Sequence, residues 1–133
     1  NVVQNLIPKS QMLSIQAGTT VVLVFDTDVS QTSNLKKNLE LLTRYCGKLK
    51  IIFLPQVLNL ENELVRCTDV RTVMELTKSG SVKNFKTDFC KIKTKDCSSM
   101  LERHKLDYPR LWMTKVPEAF NFVDNNSFQI KIM

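Results

Sequence analysis

Two carboxylates, Asp26 and Asp28, stand two residues apart where the apolar run Val21, Val22, Leu23, Val24, Phe25 gives way to polar residues. Such a run reads as a buried strand, and the carboxyl ends of strands in an α/β sheet are where ligands bind. Carboxylates at this spacing are hard oxygen ligands for Mg²⁺ or Mn²⁺, ions whose remaining ligands are commonly phosphate oxygens. The chemistry they point to is metal-assisted handling of a phosphate. A plainer role exists for the same residues, because an aspartate after a strand often caps the helix that follows.

Further along, Glu61 and Glu63 fall in the first turns of a predicted helix over 60–66, entered through Asn59. Acidic residues there favour the helix dipole. Parallel strands end at one edge of a sheet, so Glu61 or Glu63 is also expected near Asp26 and Asp28. Converging carboxylates repel unless a cation sits between them. The candidate metal ligands are therefore Asp26, Asp28, Glu61 and Glu63.

The remaining reactive groups carry less. Cys46, Cys67, Cys90 and Cys97 include no Cys-x-x-Cys pair and have only His104 to assist them, so a structural zinc site is not expected. Cys46 and Cys67 lie among apolar neighbours on predicted helices, where a thiol packs as a small hydrophobe. A nucleophilic pair of Cys97 and His104 has no supporting context. Of the charged residues, 19 are basic and 13 acidic, a net charge of +6. The excess is concentrated in Lys83, Lys86, Lys91, Lys93, Lys95, Arg103 and Lys105. That gradient suits a polyanion, with Lys83, Lys86 and Lys91 as candidate phosphate contacts. A solvated helical face explains the same lysines without a ligand, and the stretch lacks the interleaved aromatics of a single-strand stacking platform.

The elements that must position these groups follow from periodicity. A short strand is predicted over 1–7, ended by Pro8, and a strong one over 20–25. Ser33 opens a helix through Tyr45 with Leu35, Leu39 and Leu42 at helical spacing, and Gly47 stops it. A second buried strand over 49–54 is closed by Pro55. Strand, helix and strand within about 35 residues form a βαβ unit with parallel strands. Helices are then predicted over 60–66, over 69–77 with Val70, Val73, Met74 and Thr77 inward, and over 82–92. In the last of these, Val82, Phe85, Phe89 and Ile92 make the apolar stripe. A short helix over 97–105 follows, Tyr108, Pro109, Leu111 and Trp112 pack an edge, and 119–133 alternates like a terminal strand around Phe128, Ile130 and Ile132.

With 133 residues, 43% of them hydrophobic and 24% charged, the chain reads as one globular domain over 1–133 with a single core. No apolar run approaches the roughly 20 residues of a membrane span, and the start lacks the layout of a signal peptide. A cytoplasmic protein with no membrane partner is expected.

The sequence Val-Phe-Asp-Thr-Asp, a helix, then Ile-Ile-Phe-Leu-Pro-Gln-Val-Leu-Asn-Leu-Glu-Asn-Glu-Leu resembles the Toprim fold. It is most similar to the Toprim domains of RloB-like proteins and of the overcoming-lysogenization-defect nucleases of prokaryotic defence systems. The resemblance covers residues 20–66, about a third of the chain. It implies an α/β, Toprim-like (Rossmann-like) sheet of central parallel strands flanked by helices, with a helical C-terminal half. It further implies Mg²⁺ (or Mn²⁺) on Asp26 and Asp28, with Glu61 as the family's later glutamate and Glu63 as the alternative register. The implied activity is Mg²⁺-dependent cleavage of a nucleic-acid phosphodiester, DNA or RNA, with catalysis resting on Asp26, Asp28 and Glu61. A defence-system protein and a second copy of the chain are the implied protein partners.

One departure stands out. Toprim domains carry an earlier glutamate, the expected general acid/base, on a strand before the Asp-x-Asp, and residues 1–25 contain no glutamate. Either that first strand is missing from this chain, as a start on Asn1 fits, or the residue is absent and cleavage gives way to binding alone. A non-catalytic nucleic-acid-binding or assembly module is thus the main alternative. A phosphoacceptor receiver domain is a third reading, but it expects a further acidic pair that the segment before Asp26 does not supply.

Overall fold

The computed structural model describes residues 1–47 and 49–124. The terminal strand expected around Phe128, Ile130 and Ile132 lies outside the described residues. The chain is mixed α/β and divides into two compact units, Asn1–Asn59 with the segment from Trp112 onward, and Leu60–Leu111.

The first unit contains helix α1 (Lys9–Leu13), strand β1 (Thr20–Asp26), helix α2 (Ser33–Cys46) and strand β2 (Lys50–Gln56). β1 and β2 pair in parallel, Thr20 against Lys50 through Asp26 against Gln56, so the sequence prediction of a βαβ unit holds. The spacing of α2 turns Leu35, Leu42 and Cys46 inward, the two leucines to zero exposure. Gly47, at φ +64°, ends the helix in a region that costs other residues strain. One face of the sheet, Leu23 and Phe25, joins these side chains with Val3, Met12, Phe120 and Val123 in a common core. There Phe25 stacks on Phe120 with ring centroids 5.9 Å apart. The Cys46 thiol donates to the Met12 carbonyl at 3.2 Å, which explains a cysteine at that core position.

Two expectations are corrected here. Residues 1–7 form turns rather than a strand. Asn1 is the local cause: its side-chain oxygen accepts from the Val3 N–H and its carbonyl from the Asn5 N–H, bonds that compete with a ladder. Asn38, wholly buried on α2, then receives the segment, accepting from the Ile7 N–H and donating to the Val2 and Asn5 carbonyls. Second, β1 is not buried on both faces. Leu23 and Phe25 point inward, whereas Val22 and Val24 are 44% and 49% exposed.

The second unit is helical: α3 (Leu60–Cys67), α4 (Met74–Thr77), α5 (Val82–Lys91) and α6 (Thr94–Arg103). Its core is Leu64, Val70, Val73, Leu76, Phe85 and Met100. The helix expected over 69–77 shrinks to α4. The Glu75 carboxylate takes the N–H groups of Arg71 and Thr72, while Asp69 is held by His104, both through the His104 carbonyl and through its ring Nδ1 at 3.1 Å. Ser81 caps α5 by accepting from the Asn84 N–H, and the stripe of that helix is Phe85, Phe89 and Ile92, because Val82 is 48% exposed. α6 begins at Thr94, earlier than predicted. Lys105, at φ +58°, marks the left-handed turn beyond its end.

Burial pushes the Cys67 thiol above its ordinary pKa, and the neighbouring Glu63 charge adds to the effect; burial does the same to Cys97. Thiolate is the reactive form, so alkylation of the folded protein at mildly alkaline pH is expected first at the exposed Cys90. Mass spectrometry of a time course with iodoacetamide reads the order; Cys67 labelling as fast as Cys90 would contradict it. The sign for stability follows. A thiol whose folded pKa is raised contributes stability below its unfolded pKa that is lost as pH rises through the folded value.

Candidate metal-binding edge

The carboxyl end of β1 owes its shape to the residue between the two aspartates. Strand alternation sends Thr27 inward, to 4% exposure, and leaves Asp26 half-buried and Asp28 exposed. The Thr27 N–H reaches the carbonyls of Gln56 (3.1 Å) and Leu58 (2.9 Å). Its hydroxyl donates to the same Gln56 carbonyl at 3.1 Å and accepts from the Leu58 N–H at 2.9 Å. The loop after β2 is thereby clamped to the end of β1. Leu58 takes φ +66° to meet the clamp, a conformation costly for a leucine and held by the surrounding bonds. One residue on, Asn59 Nδ2 lies 3.5 Å from Asp28 Oδ2.

Neither aspartate caps the following helix, since the residue at the N-cap of α2 is Thr32 and no side chain bonds there. Asp26 and Asp28 thus lie at the edge where the plainer reading would have used one as a cap. Sequence reasoning named Asp26 and Asp28 but missed Thr27 and Leu58. The available signal was the period of two: if Asp26 and Asp28 face out, the residue between them must face in.

Glu61 and Glu63 belong to the second unit, near the start of α3. Glu61 accepts from Lys86 Nζ at 2.9 Å, with 15% of its side chain exposed. Glu63 has no exposure and receives Arg66 Nη2 at 2.8 Å, one turn along the helix. Lys86 is therefore an ion-pair partner on α5 as well as a candidate phosphate contact, and Lys83 and Lys91 are exposed on the same helix. Among the described residues, no three His, Cys, Asp or Glu side chains are grouped so as to hold a metal ion. Two carboxylates at the end of β1 remain a workable donor set for Mg²⁺, which keeps several waters and takes one or two protein carboxylates along with substrate phosphates. Among the described residues no helix is long and apolar enough to cross a membrane.

Compared with known proteins, the chain matches no family, no curated protein and no solved structure.

Proposed function

We propose that this chain is a Toprim-like, nuclease-type domain that acts on a nucleic-acid phosphodiester with Mg²⁺ or Mn²⁺ bound at Asp26 and Asp28. The observation that carries the reading is the Thr27 clamp, which fixes a strand end with a carboxylate on either side of a buried residue. Bound there, a divalent ion would neutralise a phosphate and lower the pKa of an attacking water. Asp26 and Asp28 supply the hard oxygens, and Asn59 orients Asp28. Glu61 is the third carboxylate that the resemblance adds, and Lys83, Lys86 and Lys91 would neutralise flanking phosphates without regard to sequence. The cellular setting that fits is a cytoplasmic prokaryotic defence protein, with a protein partner of that system.

The same fold without turnover is the second reading, favoured by the missing glutamate in residues 1–25. One set of measurements separates the two. Mn²⁺ titration followed by electron paramagnetic resonance is expected to show binding that falls at least roughly tenfold in Asp26→Asn and in Asp28→Asn, each removing one charged ligand. Circular dichroism should stay that of the folded chain. Cleavage of single- or double-stranded DNA or RNA that needs Mg²⁺ and vanishes in both variants supports the nuclease. Nucleic-acid binding that weakens steeply with salt, with no cleavage and no change on substitution, supports the binding module.

A further inference from the structure

Parallel sheets almost always have both faces covered, yet here two strands carry Val22 and Val24 half exposed, and among the described residues β1 has β2 as its only sheet neighbour. The Thr27 N–H continues the ladder to the Gln56 carbonyl, so the odd-numbered residues of β1 bond toward β2. By the alternation of a strand, the N–H and C=O groups of Val22 and Val24 point the other way, along the open edge. An edge of this kind, with apolar side chains and backbone groups that no described residue pairs, is a template for another strand.

From this arrangement we infer that β1 pairs antiparallel with β1 of a second copy of the chain, making a four-stranded sheet in the order β2, β1, β1, β2. A twofold axis at Leu23 is the register that the sequence favours. It sets Val22 beside the second copy's Val24, and each of these pairs can exchange two backbone hydrogen bonds. On the face of the two valines the row across the sheet then runs Ile52, Val22, Val24, Leu54, with Ile52 and Leu54 already buried within each copy, and the symmetric row beside it runs in reverse. The two half-exposed valines of each copy would close over each other in a continuous apolar band. The ends complete the match. β1 finishes on Asp26, while its beginning, Thr20, lies in register with Lys50 on β2, and even-numbered residues of both strands share one face. In the antiparallel pair Asp26 of one copy comes beside Thr20 of the other, with Lys50 one strand further, about 10 Å away backbone to backbone. An extended lysine and an aspartate span that gap across the small threonine. The acidic end of each copy thus meets the basic end of the other, twice per dimer. A parallel pairing would set acid against acid.

The experiment is analytical ultracentrifugation of the full chain without metal, paired with hydrogen exchange of the amides in β1. The expected result is a species of twice the 15.3 kDa chain mass, with Val22 and Val24 amides slowing by roughly tenfold or more between dilute and concentrated samples. Leu23, already bonded to β2, should change little. Val22→Lys with Val24→Lys, at positions outside the core, should give a folded monomer by circular dichroism. Lys50→Glu should weaken association by placing like charges together, and it leaves the proposed metal ligands untouched. A monomer at every concentration, a dimer that survives the double lysine substitution, or Val22 and Val24 amides indifferent to concentration would each overturn the inference. Capture of a different strand on this edge would show as protection of the two amides only when that other molecule is added, and would overturn it too.

Discussion

Replacing Asn38 with Leu is expected to destabilise the first unit by about 3–5 kcal/mol, one of the two largest effects we anticipate. The leucine fits the volume but supplies neither the acceptor that takes the Ile7 N–H at 2.7 Å nor the donors that reach the Val2 and Asn5 carbonyls at 2.8 and 2.9 Å. Asn38 has no solvent exposure, so a backbone group left behind has no water at hand, and each such group costs about 1–3 kcal/mol. The segment can escape only by peeling away, which takes Val3 out of the core. Urea denaturation followed by tryptophan fluorescence measures the loss as a lower midpoint. A change under about 1 kcal/mol would mean that residues 1–7 reach water cheaply and contribute little to the fold.

The same contact shows why parts of the fold were legible in the sequence and others were not. β1 and α2 were located nearly to the residue and β2 to within two residues, running on through Pro55 where a stop was expected, because apolar runs, helical spacing and a terminal glycine are local signals written into consecutive residues. Residues 1–7 misled because Val2, Val3, Leu6 and Ile7 look strand-like, while their shape is set by the turn bonds of Asn1 together with an asparagine more than 30 positions away. Residues 69–73 misled for the same kind of reason: their backbone bonds go to Glu75 and to His104, and the second lies at the far end of another helix. At the candidate site the two aspartates announced themselves by charge and spacing. Thr27 did not, since a threonine in a polar turn is ordinary until its hydroxyl is seen to tie two strand ends together.

Charge alone also fails to separate Glu61 from Glu63, and the second large effect bears on that pair. Removing the cation next to Glu63 with Arg66→Met is expected to cost the second unit about 3 kcal/mol or more, the range for stripping one partner from a buried ion pair. The carboxylate of Glu63 has no exposure, whereas 30% of the Arg66 side chain reaches solvent. Loss of the arginine takes this cation away from a carboxylate that has no exposure to water. Loss of the glutamate charge, by Glu63→Gln, leaves a guanidinium that can swing outward. Glu63→Gln should therefore cost less, about 1–2 kcal/mol. The double change Glu63→Leu with Arg66→Met should recover most of the stability lost in Arg66→Met, because two hydrophobic side chains can replace a buried pair at little cost. Urea midpoints for the unaltered chain and the three variants give the comparison, and equal losses from the two single changes would show that the burial of Glu63 is not what sets the effect. The same variants also test chemistry. A carboxylate spent on Arg66 should leave Mn²⁺ affinity unchanged when replaced in the stable double variant, while the corresponding change at Glu61, whose partner Lys86 is 64% exposed, should lower it if Glu61 completes the metal site. A fall in affinity on losing Glu63 instead would select the other register of the resemblance, with Arg66 as the group that a bound ion displaces.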